Sequence, residues 1–108
     1  MTRGEIFRLV PPQGHDPKRS RCYVVVSRQT LLDSRADKVM CAPVNTSFMG
    51  LATQVPVGIA EGLKHDSCIN CDQLALIEKH RLTNYVGSLA APKLRALRQA
   101  LRVALDVA

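Results

Sequence analysis

Apolar residues in this chain fall in short runs cut by polar, Gly and Pro positions, until the C-terminal stretch, where their spacing becomes that of a helix. Glu5 to Val10 reads as a first strand stopped by Pro11-Pro12, and Gln13 to Ser20 has the Gly, Pro and charge content of an exposed loop. Cys22 to Val26 is β-branched and too continuously apolar to be half-exposed, which predicts a central strand covered on both faces. Val39 to Val44 is a second run of the same kind, and the polar Arg28 to Lys38 between them has room for a short helical turn. Two buried neighbouring strands are implied.

Gln54 to Val57 is a short strand with Pro56 inside it, the mark of an edge or a bulge, followed by a loop through Gly58 and Gly62 to His65. Ser67 to Cys71, Leu74 to Ile77 and Tyr85 to Ser88 complete six or seven short strands, a pattern that predicts a small antiparallel barrel rather than an α/β sheet. A helix follows from about Pro92 to Val107. Its stripe of Leu94, Leu97, Leu101 and Leu105 is expected to pack on the barrel, with Arg95, Arg98 and Arg102 on another face. Those arginines read first as a solvated ridge, with an RNA contact as the alternative.

At 108 residues the chain is expected to form one domain over positions 1–108. Hydrophobic residues make up 46% and aromatics 4%, with no Trp, so the core must be built from aliphatic side chains and cysteine. A net charge of +6 favours polyanionic partners, nucleic acid above all. No apolar run approaches the roughly 18 residues of a membrane span, and Met1 to Ile6 lacks a signal-peptide pattern, so a cytoplasmic protein is expected. In a reducing compartment, Cys22, Cys41, Cys68 and Cys71 read as buried thiols rather than disulfides. Cys68-Ile-Asn-Cys71 has the spacing of a zinc half-site. However, Cys22 and Cys41 form no second pair, and strand residues three apart face opposite ways, so no metal is expected.

Candidate chemistry gathers at two places. Lys18-Arg19-Ser20-Arg21 leads directly into the apolar strand, holding Arg21 at the rim of a rigid sheet, where a guanidinium suits charge developing on a phosphate. Asn45, Thr46 and Ser47 follow the other buried strand, so if the two strands are neighbours, these polar groups and Arg21 share one cleft. The alternative is a solvated strand end beside an ordinary polar turn. His15 and His65, on loops, read first as solvated histidines, with acid–base work near a substrate as the alternative, whereas His80 in Lys79-His80-Arg81 reads as a surface residue. Phe48 is the best placed of the few aromatics to stack on a base, with core packing as its other role.

At these residues the sequence resembles the MazF/PemK family of toxins from bacterial type II toxin–antitoxin pairs. The likeness runs through Arg3-Gly4-Glu5-Ile6, Arg21 with Val24-Val25-Val26-Ser27, Cys41-Ala42-Pro43-Val44, Gly62-Leu63-Lys64-His65-Asp66-Ser67 and Cys71-Asp72-Gln73. It continues through Arg81-Leu82 and Val86-Gly87-Ser88-Leu89 into the Leu-rich helix. The resemblance implies a β-barrel of the PemK/MazF/CcdB, Src-homology-three-like type with a C-terminal amphipathic helix. It also implies a homodimer, a cognate antitoxin and an mRNA interferase that blocks translation. Such an enzyme cuts single-stranded RNA at selected sequences without a metal, by attack of the 2′-hydroxyl on the adjacent phosphate.

By the same resemblance, the catalytic pair falls on Arg21 and on Asn45 or Thr46, while Lys18, Arg19, Ser47, His65, Asp66 and Gln73 become substrate-binding candidates. Two positions depart from the family pattern. Cys22 stands where a proline commonly follows the arginine, and Asn45 aligns most directly with the usual threonine, leaving Thr46 one place later. A shift of one residue in a strand reverses the side chain, so on that alignment Thr46 needs a bulge or a loop to reach the site. Two other readings remain: a nucleic-acid-binding module without catalysis, and a gyrase poison of the same fold. The second expects an exposed aromatic at the end of the helix, where this chain has Leu105-Asp106-Val107-Ala108.

Overall fold

The structure, a computed structural model, describes residues 1–10 and 21–108. Seven strands form one antiparallel sheet: β1 Glu5–Leu9, β2 Arg21–Val25, β3 Lys38–Asn45, β4 Gln54–Val57, β5 Ser67–Asn70, β6 Ala75–Glu78 and β7 Tyr85–Ser88. A one-turn helix, α1 Gln29–Leu32, lies in the polar segment between β2 and β3, and the C-terminal helix is α2 Ala91–Leu105. The neighbour order is β4-β5-β3-β2-β1-β7, with β6 also paired to β3.

The long strand β3 organises the sheet. Cys41 to Val44 pair with β2 along one edge, while Lys38 to Cys41 pair with β6 and Val44-Asn45 with β5 on the other. Because two strands share that edge in succession, the sheet curls into a half-barrel. Alternation then divides the core. Ile6, Cys22, Val24, Ala42 and Ile69 pack against Leu97, Ala100 and Leu101 of α2, whereas Phe7, Leu9, Val25, Val39 and Cys41 face Leu32, Ile77 and Leu82 on the other side. Adjacent Val24 and Val25 are both fully buried, one in each cluster, which is the physical reason for the unbroken apolar run in β2.

The predicted edge strand holds: β4 ends the sheet, and Pro56 lies exposed opposite Cys68. The helix differs from its predicted stripe at the last turn. Leu97 and Leu101 are buried and Leu94 half-buried, but Leu105 is 56% exposed, while Ala100 and Ala104 lie against the core in its place. The chain turns into the left-handed region at Asp106, and the core no longer extends under that end. One close approach ties the strands to the loops. A methyl added at Gly87 would stand 2.0 Å from the Glu61 carbonyl oxygen, so the Ile59–Glu61 turn rests directly on β7, with Gly62 in the left-handed conformation at φ +92°. That turn leads into Leu63, Lys64 and His65.

Candidate active site

A cleft of about 570 Å³ opens where β2 begins and β3 ends. Antiparallel pairing of Cys22 with Val44 brings these two strand ends together, so Arg21 and Thr46 come to line the same cleft from separate parts of the chain. Leu9 pairs with Arg21 and Arg8 with Cys22, which adds Arg8 from β1. Leu63, Lys64 and His65 close another wall, with Ser67 at the start of β5. Among the described residues, the lining therefore includes Arg8, Arg21 and Lys64 and no carboxylate. Such a cleft favours an anion, because planar guanidinium donors match oxyanion geometry.

Asn45 and Thr46, consecutive in sequence, have different duties. The Asn45 Oδ1 accepts from the Ser47 backbone N–H at 3.2 Å and from the Cys68 thiol at 3.2 Å, which ties its acceptor to the outer hairpin, while Asn45 also lines the cleft. Thr46 lies just past the end of β3 in an exposed bend, where no side-chain hydrogen bond to it is recorded among the described residues. Thr46 reaches the cleft from the bend that follows β3, where strand alternation no longer sets its direction, so no bulge within the strand is required.

Gln54, buried on β4, fixes the loop that follows Thr46. Its Nε2 donates to the Ser47 carbonyl at 3.0 Å, and its Oε1 accepts from the backbone N–H groups of Met49 at 2.9 Å and Leu51 at 3.3 Å. A single side-chain amide thus replaces the ladder that this loop lacks. Phe48 stands on that loop, 53% exposed, rather than in the core.

The other sequence candidates divide as follows. His65 lines the cleft, whereas Ser47, Asp66 and Gln73 are not among its lining residues. Asp66 lies against Gly58, and Gln73 is exposed in the single turn Cys71–Gln73. Lys18, Arg19 and His15 fall outside the described residues. His80 is on the surface, with its ring Nε2 2.9 Å from the Glu78 carboxylate, which holds that carboxyl below its ordinary range. All four thiols are buried, and Cys68 and Cys71 face different surroundings, Cys71 in the helix-side core and Cys68 toward Asn45. Burial raises each thiol, to about 12 at Cys41 and about 11 at Cys71.

Sequence reasoning passed over Arg8, Lys64 and Gln54. Arg8 carried a signal, since a charge set into an otherwise apolar strand on the alternation of Ile6 needs a polar destination. Lys64 and Gln54 carried none that distinguishes them from ordinary surface residues.

A half-barrel with a cationic cleft at its open end is a β protein suited to an anionic ligand. Residues 2–105 match the family described as PemK-like, MazF-like toxin of type II toxin-antitoxin system, and the chain belongs to that family. It is 32% identical over 89 residues to endoribonuclease MazF3 of Mycobacterium tuberculosis, a match spanning 82% of this chain and 85% of the relative. It is also 28% identical over 112 residues to endoribonuclease MazF6 of the same organism, covering 99% of this chain. Among solved structures, the Mycobacterium tuberculosis toxin MazF-mt6 superposes with a TM-score of 0.81 at 27% identity, covering 98% of this chain and 99% of that one. A mycobacterial endoribonuclease solved in complex with its cognate antitoxin shares the fold, with a TM-score of 0.83 at 20% identity, covering 100% of this chain and 97% of that one.

Proposed function

We propose that this endoribonuclease toxin cuts single-stranded RNA in the cleft between Arg21 and Thr46, at selected sequences and without a metal ion. The observation that carries the reading is the convergence of Arg8, Arg21 and Lys64 on a cleft that Thr46 also lines, with no carboxylate among the described lining residues. That donor set matches a phosphodiester and offers no oxygen-rich cage for a hard divalent cation.

In the proposed reaction the ribose 2′-oxygen forms a bond to the adjacent phosphorus, and the bond from phosphorus to the 5′-oxygen breaks. A 2′,3′-cyclic phosphate and a 5′-hydroxyl are left. One proton leaves the 2′-hydroxyl and one is delivered to the 5′-oxygen. Arg21 stabilises the extra charge on the pentacovalent phosphate, where a preorganised donor has its largest effect. Thr46 supplies a hydroxyl to a phosphate oxygen, and Asn45, whose Oδ1 is engaged elsewhere, holds the turn that presents it. His65 is the side chain in the cleft able both to accept and to donate a proton. Lys18 and Arg19 lead the RNA toward Arg21, and Phe48, fixed by the Gln54 loop, stacks on a neighbouring base.

Membership of a type II toxin–antitoxin family supports a cognate antitoxin as the inhibitory partner, and we assign a homodimer in the cytoplasm as the working form. None of the described helices is long and apolar enough to cross a membrane. Incubating the purified protein with cellular RNA in excess chelator tests the reading. Fragments with 5′-hydroxyl ends from the wild type, and none from Arg21→Ala, are expected, and sequencing those ends reads out the cleavage motif. Intact RNA in the wild-type reaction overturns it.

A further inference from the structure

A second basic region lies at the opposite end of β2. A cleft of about 550 Å³ is lined by Arg3 from the chain start, Arg28 before α1, and Arg98 and Arg102 from α2, over a floor that includes Val26 and Leu101. Three separate parts of the chain therefore bring four arginines to one space whose described lining, which also includes Val107 and Ala108, has no carboxylate side chain. Arg3 is held in place: its backbone N–H donates to Gln29 Oε1 at 3.0 Å and its Nε to the Val26 carbonyl at 3.0 Å. Burial and the neighbouring Arg98 charge hold its guanidinium below the ordinary arginine value. Among the described residues the one ion pair is His80 with Glu78, so no salt bridge neutralises the cluster there.

Like charges gathered over an apolar floor repel one another, and an anion held among them relieves that repulsion. We propose that this arginine cleft binds phosphate groups of the RNA backbone outside the cleavage site, as an exosite that adds affinity without reading bases. The inference rests on the reading of the protein as an RNA-cleaving toxin.

Two arguments favour RNA over an acidic peptide. The planar fork of arginine matches phosphate oxygens in pairs. In addition, five strand steps of about 3.3 Å separate Val26 from Arg21, so RNA held at the cleavage cleft reaches the arginines at high effective concentration. The convergence also changes the reading of the helix ridge, because Arg98 and Arg102 line the cleft whereas Arg95 does not.

The test is binding of a 2′-O-methyl oligouridine of about 20 nucleotides, which cannot be cut by 2′-hydroxyl attack, across a salt series. The Arg28→Ser/Arg98→Ser/Arg102→Ser protein is compared with an Arg35→Ser/Lys38→Ser/Arg95→Ser control that removes the same charge from exposed positions elsewhere. With a slope of about 0.7 per phosphate contact, the first protein is expected to lose about 2 from the slope of log affinity against log salt, and about tenfold or more in low-salt affinity. The control loses much less. Equal losses in the two proteins, or none in either, overturn the proposal, as does displacement of the RNA from the wild type by polyglutamate as readily as by inorganic polyphosphate. If the triple variant melts below the wild type, Arg98→Gln/Arg102→Gln, confined to exposed helix positions, gives the same reading with a slope loss of about 1.4. RNA cleavage in chelator is scored separately, so failure here leaves the cleavage reading standing.

Discussion

The two ends of β2 are both basic, yet they are built in opposite ways. At the Arg21 end, strand register sets Arg8 and Arg21 beside Thr46, and Cys22 paired with Val44 decides what meets what. At the Arg28 end no register operates, and arginines from a terminus, a turn and a helix meet only because α2 packs across the sheet. The first arrangement sets backbone positions by strand register, as the proposed cleavage requires. The second makes a field, which suits holding a backbone rather than cutting it.

The contrast is sharpest at Arg21. Arg21→Lys keeps the charge and loses the planar fork, and RNA cleavage is expected to fall about 100-fold, whereas Arg102→Lys at the other end changes RNA affinity less than about threefold. Comparable losses from both erase the distinction. Next in size is Gln54→Leu, which leaves Met49, Leu51 and Ser47 backbone groups without their partner. Chemical denaturation should show about 2 kcal/mol of lost stability, accompanied by an altered set of cleavage sites if the loop it holds reads bases.

Consecutive residues give the third comparison. Thr46→Ala is expected to slow cleavage about tenfold with an unchanged melting temperature, while Asn45→Ala costs about 1 kcal/mol of stability and slows cleavage less. The reverse ranking assigns the catalytic partnership to Asn45. The smallest effect concerns the core behind the site. Cys41 and Cys71 are raised by burial to about 12 and 11, above the unfolded thiol, so their contribution is complete below the unfolded value and is lost as pH rises through the folded ones. Stability should decline above about pH 9, and the decline should be shallower in Cys41→Ala/Cys71→Ala than in the wild type.

Much of the fold was legible because the two-sided burial of β2 and β3 forces runs that no half-exposed strand would carry, as at Val24 and Val25. Gln54 to Val57 and Tyr85 to Ser88 appear with the boundaries that their turn residues mark. Leu105 misled because helical spacing says which residues share a face and nothing about where the core beneath that face stops. Similarly, Asp66 and Gln73 were grouped with the site by their place in a motif, and proximity in sequence left them outside the cleft lining.

What the sequence determined by itself was local: strand periods, the proline at an edge, the helix stripe, and the placing of Arg21 where a basic run meets an apolar one. Each depends on near neighbours along the chain, and so the pattern contains it. That the Asn45 Oδ1 is engaged was decided by Cys68, 23 positions on, and that Thr46 falls in a bend was decided by the end of β3. The arginine cleft was decided by residues from Arg3 to Arg102, brought together only by burial of Leu97 and Leu101 against the sheet. Hydrophobic packing chooses such meetings by removing apolar area from water, with no regard for separation along the chain, and only the folded structure records them.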